Sequence, residues 1–98
     1  MESFRLLVIE VQPQPPNVEC VVKCLEGSVR VGDTVRADGE PVGHGLEGFV
    51  VQEILYFGQM LAELESNFGG KLLMSTLGSP PPLLPGVYLV GTSASRSD

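Results

Sequence analysis

This 98-residue chain has one histidine, two cysteines and only six, dispersed, basic residues, and each scarcity removes a class of chemistry. His44 alone cannot build a multi-histidine metal centre, and a serine or cysteine nucleophile needs a base held beside it. Here the only base of that kind lies in the glycine-dense stretch Asp38-Gly39-Glu40-Pro41-Val42-Gly43-His44-Gly45, which reads as a solvated loop. Cys20 and Cys24 are four residues apart, so on a strand they are separated by roughly 13 Å, at ~3.3 Å per residue. A disulfide needs Cα atoms within about 7 Å, and the two thiols are therefore expected to be small buried apolar groups. Arg5, Lys23, Arg30, Arg36, Lys71 and Arg96 form no run, and twelve acids leave a formal charge of −6, which argues against a phosphate backbone as partner. No apolar run approaches the ~20 residues of a membrane helix, and Met1-Glu2-Ser3 is not a basic signal-peptide start; the expectation is a cytoplasmic protein without a membrane contact.

What the chain has instead is β-forming runs broken by glycine and proline. Phe4–Val11 is aliphatic on both faces, Phe4, Leu6, Val8 and Glu10 on one and Arg5, Leu7, Ile9 and Val11 on the other. It is expected to stop where Gln12-Pro13-Gln14-Pro15-Pro16-Asn17 begins, because prolines cannot donate to a ladder. Val18–Leu25 follows, with Val18, Cys20, Val22 and Cys24 as its core face. Gly27 and Gly32-Asp33 then supply two tight turns before Thr34–Ala37. Gly48–Phe57 is the strongest β run, with Gly58 as a turn or bulge. Gln59–Ser66 has good helix propensity residue by residue, but eight residues make a marginal helix. Gly69–Leu77 and Val87–Val90 complete the set, joined by the stiff connector Gly78-Ser79-Pro80-Pro81-Pro82. Residues 93–98 read as a polar tail, and 1–92 as one domain. Short strands at about ten-residue spacing imply an all-β sandwich or barrel.

The segment Leu25-Glu26-Gly27-Ser28-Val29-Arg30-Val31-Gly32-Asp33-Thr34-Val35 resembles the signature of the second domain of translational GTPases, the elongation factor Tu-like β-barrel. Phe4–Val11, Asn67-Phe68-Gly69 with Leu72-Leu73-Met74, and Leu84-Pro85-Gly86-Val87-Tyr88-Leu89 resemble further strands of that domain, so the likeness runs from Phe4 to about Thr92. It implies a small closed antiparallel Greek-key β-barrel of six or seven strands, and an extended rather than helical Leu61–Leu64. The family's GTPase domain has no counterpart, since no Gly-x-x-x-x-Gly-Lys-Ser/Thr occurs and no nucleotide is expected.

In that family the barrel holds the aminoacylated end of transfer RNA. Glu10 keeps the acidic position that the resemblance assigns to the pocket, but Gln12 stands in place of its aromatic, and Val21 and Val22 in place of its threonine and glycine. A stacking ring contributes about 1–3 kcal/mol per base, so the pocket is not expected to be kept. The barrel is also a docking body there, which implies an uncovered interaction surface here. Arg5, Leu7, Ile9 and Val11 are the candidates for it. The carboxylates Glu63 and Glu65 read as a solvated edge. The expected function is a stand-alone, non-catalytic module that binds a protein partner or a second copy of itself, without cofactor or metal. A translation-associated RNA or ribosome binder is the alternative, and a small enzyme using His44 a third reading.

Overall fold

The computed structural model of the chain describes residues 2–38, 48–78, 80 and 83–93, without the side chains of residues 2 and 93. Nine strands make up the described fold: β1 (Glu2–Gln14), β2 (Asn17–Glu26), β3 (Ser28–Arg30), β4 (Thr34–Ala37), β5 (Gly48–Tyr56), β6 (Gln59–Leu61), β7 (Glu63–Glu65), β8 (Gly69–Leu77) and β9 (Tyr88–Ser93). The order β4-β9-β1-β2-β8-β5 closes through a β4–β5 pairing into a six-stranded antiparallel barrel, with β6 added to the free end of β5. This is the all-β barrel expected from the sequence. Closure removes the exposed edges that an open sheet of this size would carry.

Alternation fills the interior. Leu6 and Val8 of β1, Cys20, Val22 and Cys24 of β2, Leu72 and Met74 of β8, Val51 and Ile54 of β5, Val35 of β4 and Leu89 of β9 are all buried. The separate pair β3–β7 sets Val29 opposite Leu64, and both side chains join the same core. Gln59–Ser66 is therefore extended, as β6 and β7, and not helical.

The turn chemistry follows the glycines. Gly27 has φ +68°, and a Cβ there would run into the Ser3 carbonyl oxygen. The next turn, Arg30-Val31-Gly32-Asp33, is closed twice: the Asp33 N–H donates to the Arg30 carbonyl at 3.0 Å, and the Arg30 N–H donates to Asp33 Oδ2 at 2.8 Å. A buried aspartate is stable here because its carboxylate accepts that backbone donor.

Beyond shifts of one or two residues at other strand ends, three differences from expectation stand out. β1 does not stop at Val11 but runs to Gln14, with Pro13 opposite Val18. β9 pairs with β1 only along Glu2–Leu7, so proline falls where the strand has one ladder partner, a position that tolerates a missing donor. β9 begins at Tyr88 and extends to Ser93, one residue into the expected tail. The third difference is one of face. Val8 pairs with Val22 and Glu10 with Val21, leaving Ile9 as a bulge that reverses the alternation. Glu10 is consequently exposed, while Val11 lies opposite buried Cys20 and packs against the core. The expected loop around His44 and the tail from 94 onward lie outside the described residues. So does most of the proline connector.

Candidate functional site

The barrel exterior carries one face that its interior cannot account for. Across the strands, Glu10 of β1, Val21 of β2, Lys71 of β8, Leu55 of β5 and Met60 of β6 are successive ladder partners. A second row runs Gln12, Glu19, Leu73, Glu53. Both rows lie on the outside: none of these side chains is among the buried residues.

The turn between β5 and β6 shapes one end of this face. Tyr56 and Gln59 are paired, so the loop is the two residues Phe57-Gly58, with φ +51° and +80°. Positive φ at both positions is the signature of a type I′ hairpin turn, for which Asn-Gly is the favoured sequence. Phenylalanine at the first position is unusual, and its ring is 89% exposed. It stands edge-on to Tyr56 (centroids 4.6 Å, 72°), which is in turn edge-on to Phe68 (6.2 Å, 88°). Met60 beside them is 65% exposed.

Below this ridge lies an open trough of about 440 Å³, walled by Val21, Leu55, Tyr56, Phe57 and Lys71 and floored by Gly69 and Gly70. Gly69, opposite Lys23, lines it without a side chain. A smaller depression of about 110 Å³ adjoins it, sharing Val21 and Lys71 and bounded also by Glu10, Gln12, Glu19 and Cys20. The structure thus gathers Glu10, Gln12 and Val21 at one place, while Val22 is fully buried. Lys71 Nζ is 3.9 Å from Glu19 Oε2.

Of the residues nominated from the sequence as an interaction surface, Arg5, Leu7 and Ile9 face outward and Val11 does not. Arg5 is already engaged: Nη1 contacts Asp38 Oδ2 at 2.9 Å, and the guanidinium lies 4.4 Å from the centre of the Tyr88 ring. Leu7 is half-buried between Lys23 and Tyr88 on the adjoining strands, and Ile9 is 48% exposed at the bulge. Glu63 faces Arg30, Oε1 to Nη2 at 3.5 Å, and is a structural edge pair. Leu55, Tyr56, Phe57 and Met60 were not nominated. The available signal was the two-residue X-Gly spacing between Tyr56 and Gln59, which marks a hairpin and puts Phe57 at its tip.

Of the two thiols, Cys20 lines the smaller depression and Cys24 neither. Burial first, and then the negative charge of Glu19, push the Cys20 thiol from 9.0 up to about 12. Cys24 is raised by burial as well, although its hydrogen bonding to the Glu26 backbone works in the opposite sense, and its Sγ–H lies 3.5 and 3.4 Å from the Glu26 and Gly27 carbonyls. Both thiols stay protonated near neutrality and are poor nucleophiles. Among the described residues no three His, Cys, Asp or Glu side chains come together as a metal site, and no helix is long and apolar enough to cross a membrane.

The sequence matches no protein-family model and no curated protein. The fold is similar to part of translation elongation factor SelB from Methanococcus maripaludis, with a TM-score of 0.74 at 16% identity. The match covers 92% of this chain but 19% of that one, so the chain spans about a fifth of its structural neighbour. At that identity the shared feature is the barrel.

Proposed function

We propose that this barrel is a non-catalytic binding module that docks a protein through the outer face formed by β8, β5 and β6. The observation that supports it most is the bare aromatic tip over the trough, Phe57 at 89% and Met60 at 65% exposure, on a barrel whose interior is already complete. Large apolar side chains clustered around a depression are the usual anchors of protein interfaces. A photo-crosslinking residue at position 57, introduced into the protein in its own cells, is expected to give discrete products that resist ribonuclease and disappear when Met60 is changed to serine. The same probe at the exposed Thr76, outside both depressions, should give none of them. Equal products from both positions would overturn the reading.

The barrel shared with a translation factor favours a second reading, a translation-associated module that contacts RNA or the ribosome. The formal charge of −6 weighs against it. Fluorescence anisotropy with transfer RNA over a salt series separates the two, because phosphate contacts give a steep salt dependence and protein anchoring gives no RNA signal.

A further inference from the structure

Resting on the proposed docking role of this face, we infer that its occupant is a linear protein segment that combines an apolar anchor side chain with flanking lysine or arginine. The trough of about 440 Å³ suits one or two large side chains and is too small to seat a folded surface by itself. Its walls are apolar apart from Lys71, which faces Glu19 at 3.9 Å. An uncharged anchor therefore fits the trough, and charge is read at its rim.

Carboxylates lie around it: Glu10 lines the adjoining depression, and Glu53, which lines neither, is two residues from Leu55 on β5; no cation is paired with either among the described residues. Lys23, opposite Gly69, offsets one of them, which leaves an acidic remainder on a chain of formal charge −6. Position sets the expected spacing. Glu53 is two residues from Leu55 on the same strand, about 7 Å away at ~3.3 Å per residue, and Glu10 lies three strands further round the barrel, beside the adjoining depression. A segment anchored at Leu55 and Phe57 would bring a basic side chain to Glu53 from about two residues away, and one to Glu10 where it continues across the adjoining depression. The field of the chain would raise the encounter rate for such a segment.

The test uses three fluorescein-labelled twelve-residue peptides with a central Phe-Leu pair in a Gly/Ser background, flanked by lysines, by glutamates or by serines, and the complete chain. The lysine peptide is expected to bind at least tenfold more tightly than the glutamate peptide and to shift the amide signals of Gly58, Gly69 and Gly70. Phe57→Ser should weaken it about tenfold, and Glu10→Gln with Glu53→Gln by about three- to tenfold with a shallower salt dependence. Glu26→Gln, at an exposed carboxylate that lines neither depression, should leave it unchanged. Equal binding of lysine and glutamate peptides at the trough, or indifference to Glu10→Gln and Glu53→Gln, would overturn the basic-segment inference while leaving the docking reading intact. Binding that ignores Phe57→Ser and shifts signals all over the barrel would overturn both. Failure of all three peptides to bind overturns the inference alone, the docking reading being decided by the crosslinking.

Discussion

Replacing Phe57 by asparagine should make the protein more stable and a poorer binder at once. The phenylalanine holds φ +51° in a two-residue hairpin turn, a left-handed conformation that costs an ordinary L-residue about 1–2 kcal/mol and that asparagine adopts far more readily. Against this stands what the ring contributes. With 89% exposure it buries about a tenth of its surface, on the order of 20 Å², or about 0.5 kcal/mol at ~25 cal/mol per Å². The edge-on contact with Tyr56 adds about 0.5 kcal/mol, at the low end for ring pairs because water reaches it. The relief is thus larger than the loss by about 0.5 kcal/mol, which for a domain of this size raises Tm by about 2–4 °C. Urea titration should show the midpoint moving up with an unchanged m-value, since the surface exposed on unfolding hardly differs. Phe57→Ala is the paired control: it loses the same contacts without gaining a residue suited to the turn, and should fall below the parent. A clear drop in midpoint for Phe57→Asn would refute the reasoning, because it would show that the ring is held by the fold and not left available to a partner.

Three further outcomes follow from the interior. Leu64→Ala, which empties the fully buried side chain that β7 sets against Val29, should cost about 2–5 kcal/mol in denaturant titration. Gly27→Ala meets both a φ of +68° and the Ser3 carbonyl oxygen, and should cost at least about 2 kcal/mol in the same measurement; a neutral result would mean the β2–β3 turn can rearrange. Cys20 carries a pH signature. Its folded thiol stays protonated up to about 12, while the unfolded thiol ionises near 9.0. Its stabilising effect is therefore complete below pH 9 and is lost as pH rises from 9 to 12, by up to about 1.4 kcal/mol per pH unit. Cys20→Ala should flatten that limb of the stability profile, and an identical slope in both proteins would contradict the burial of the thiol.

The interior was legible because alternation and glycine punctuation are local signals. Val18, Cys20, Val22 and Cys24 read as a core face and are one, apart from the half-buried Val18, and Gly27 and Gly32 both turn the chain with positive φ. Gly69–Leu77 was read to the residue. The face of β1 was not legible, since Phe4–Val11 is apolar on both sides and a bulge at Ile9 adds no composition of its own. The same holds at Gln52 of β5, where an extra residue between Val51 and Glu53 sets buried Val51 and Ile54 three apart instead of two. Register shifts of this kind are set by barrel closure, a long-range condition that no window of the sequence contains. The gathering of Glu10, Val21, Lys71 and Leu55 depends on pairing among four strands and is of the same kind.

Two of the places where the chain carries more apolar surface than the core takes up are resolved differently. On β1 the surplus is absorbed: the bulge turns Val11 inward, Leu7 is half-covered, and Arg5 lies over Tyr88 with its charge met by Asp38. Ile9, 48% exposed at the bulge, is what remains open there. At the β5–β6 hairpin Phe57 and Met60 stay exposed, although for Phe57 the remedy is a single substitution to the Asn-Gly that this turn geometry favours. Local turn preference, side-chain burial and solubility all argue against phenylalanine at position 57. Phenylalanine at this position is consistent with the docking role proposed above, since it stands exposed beside an unfilled trough.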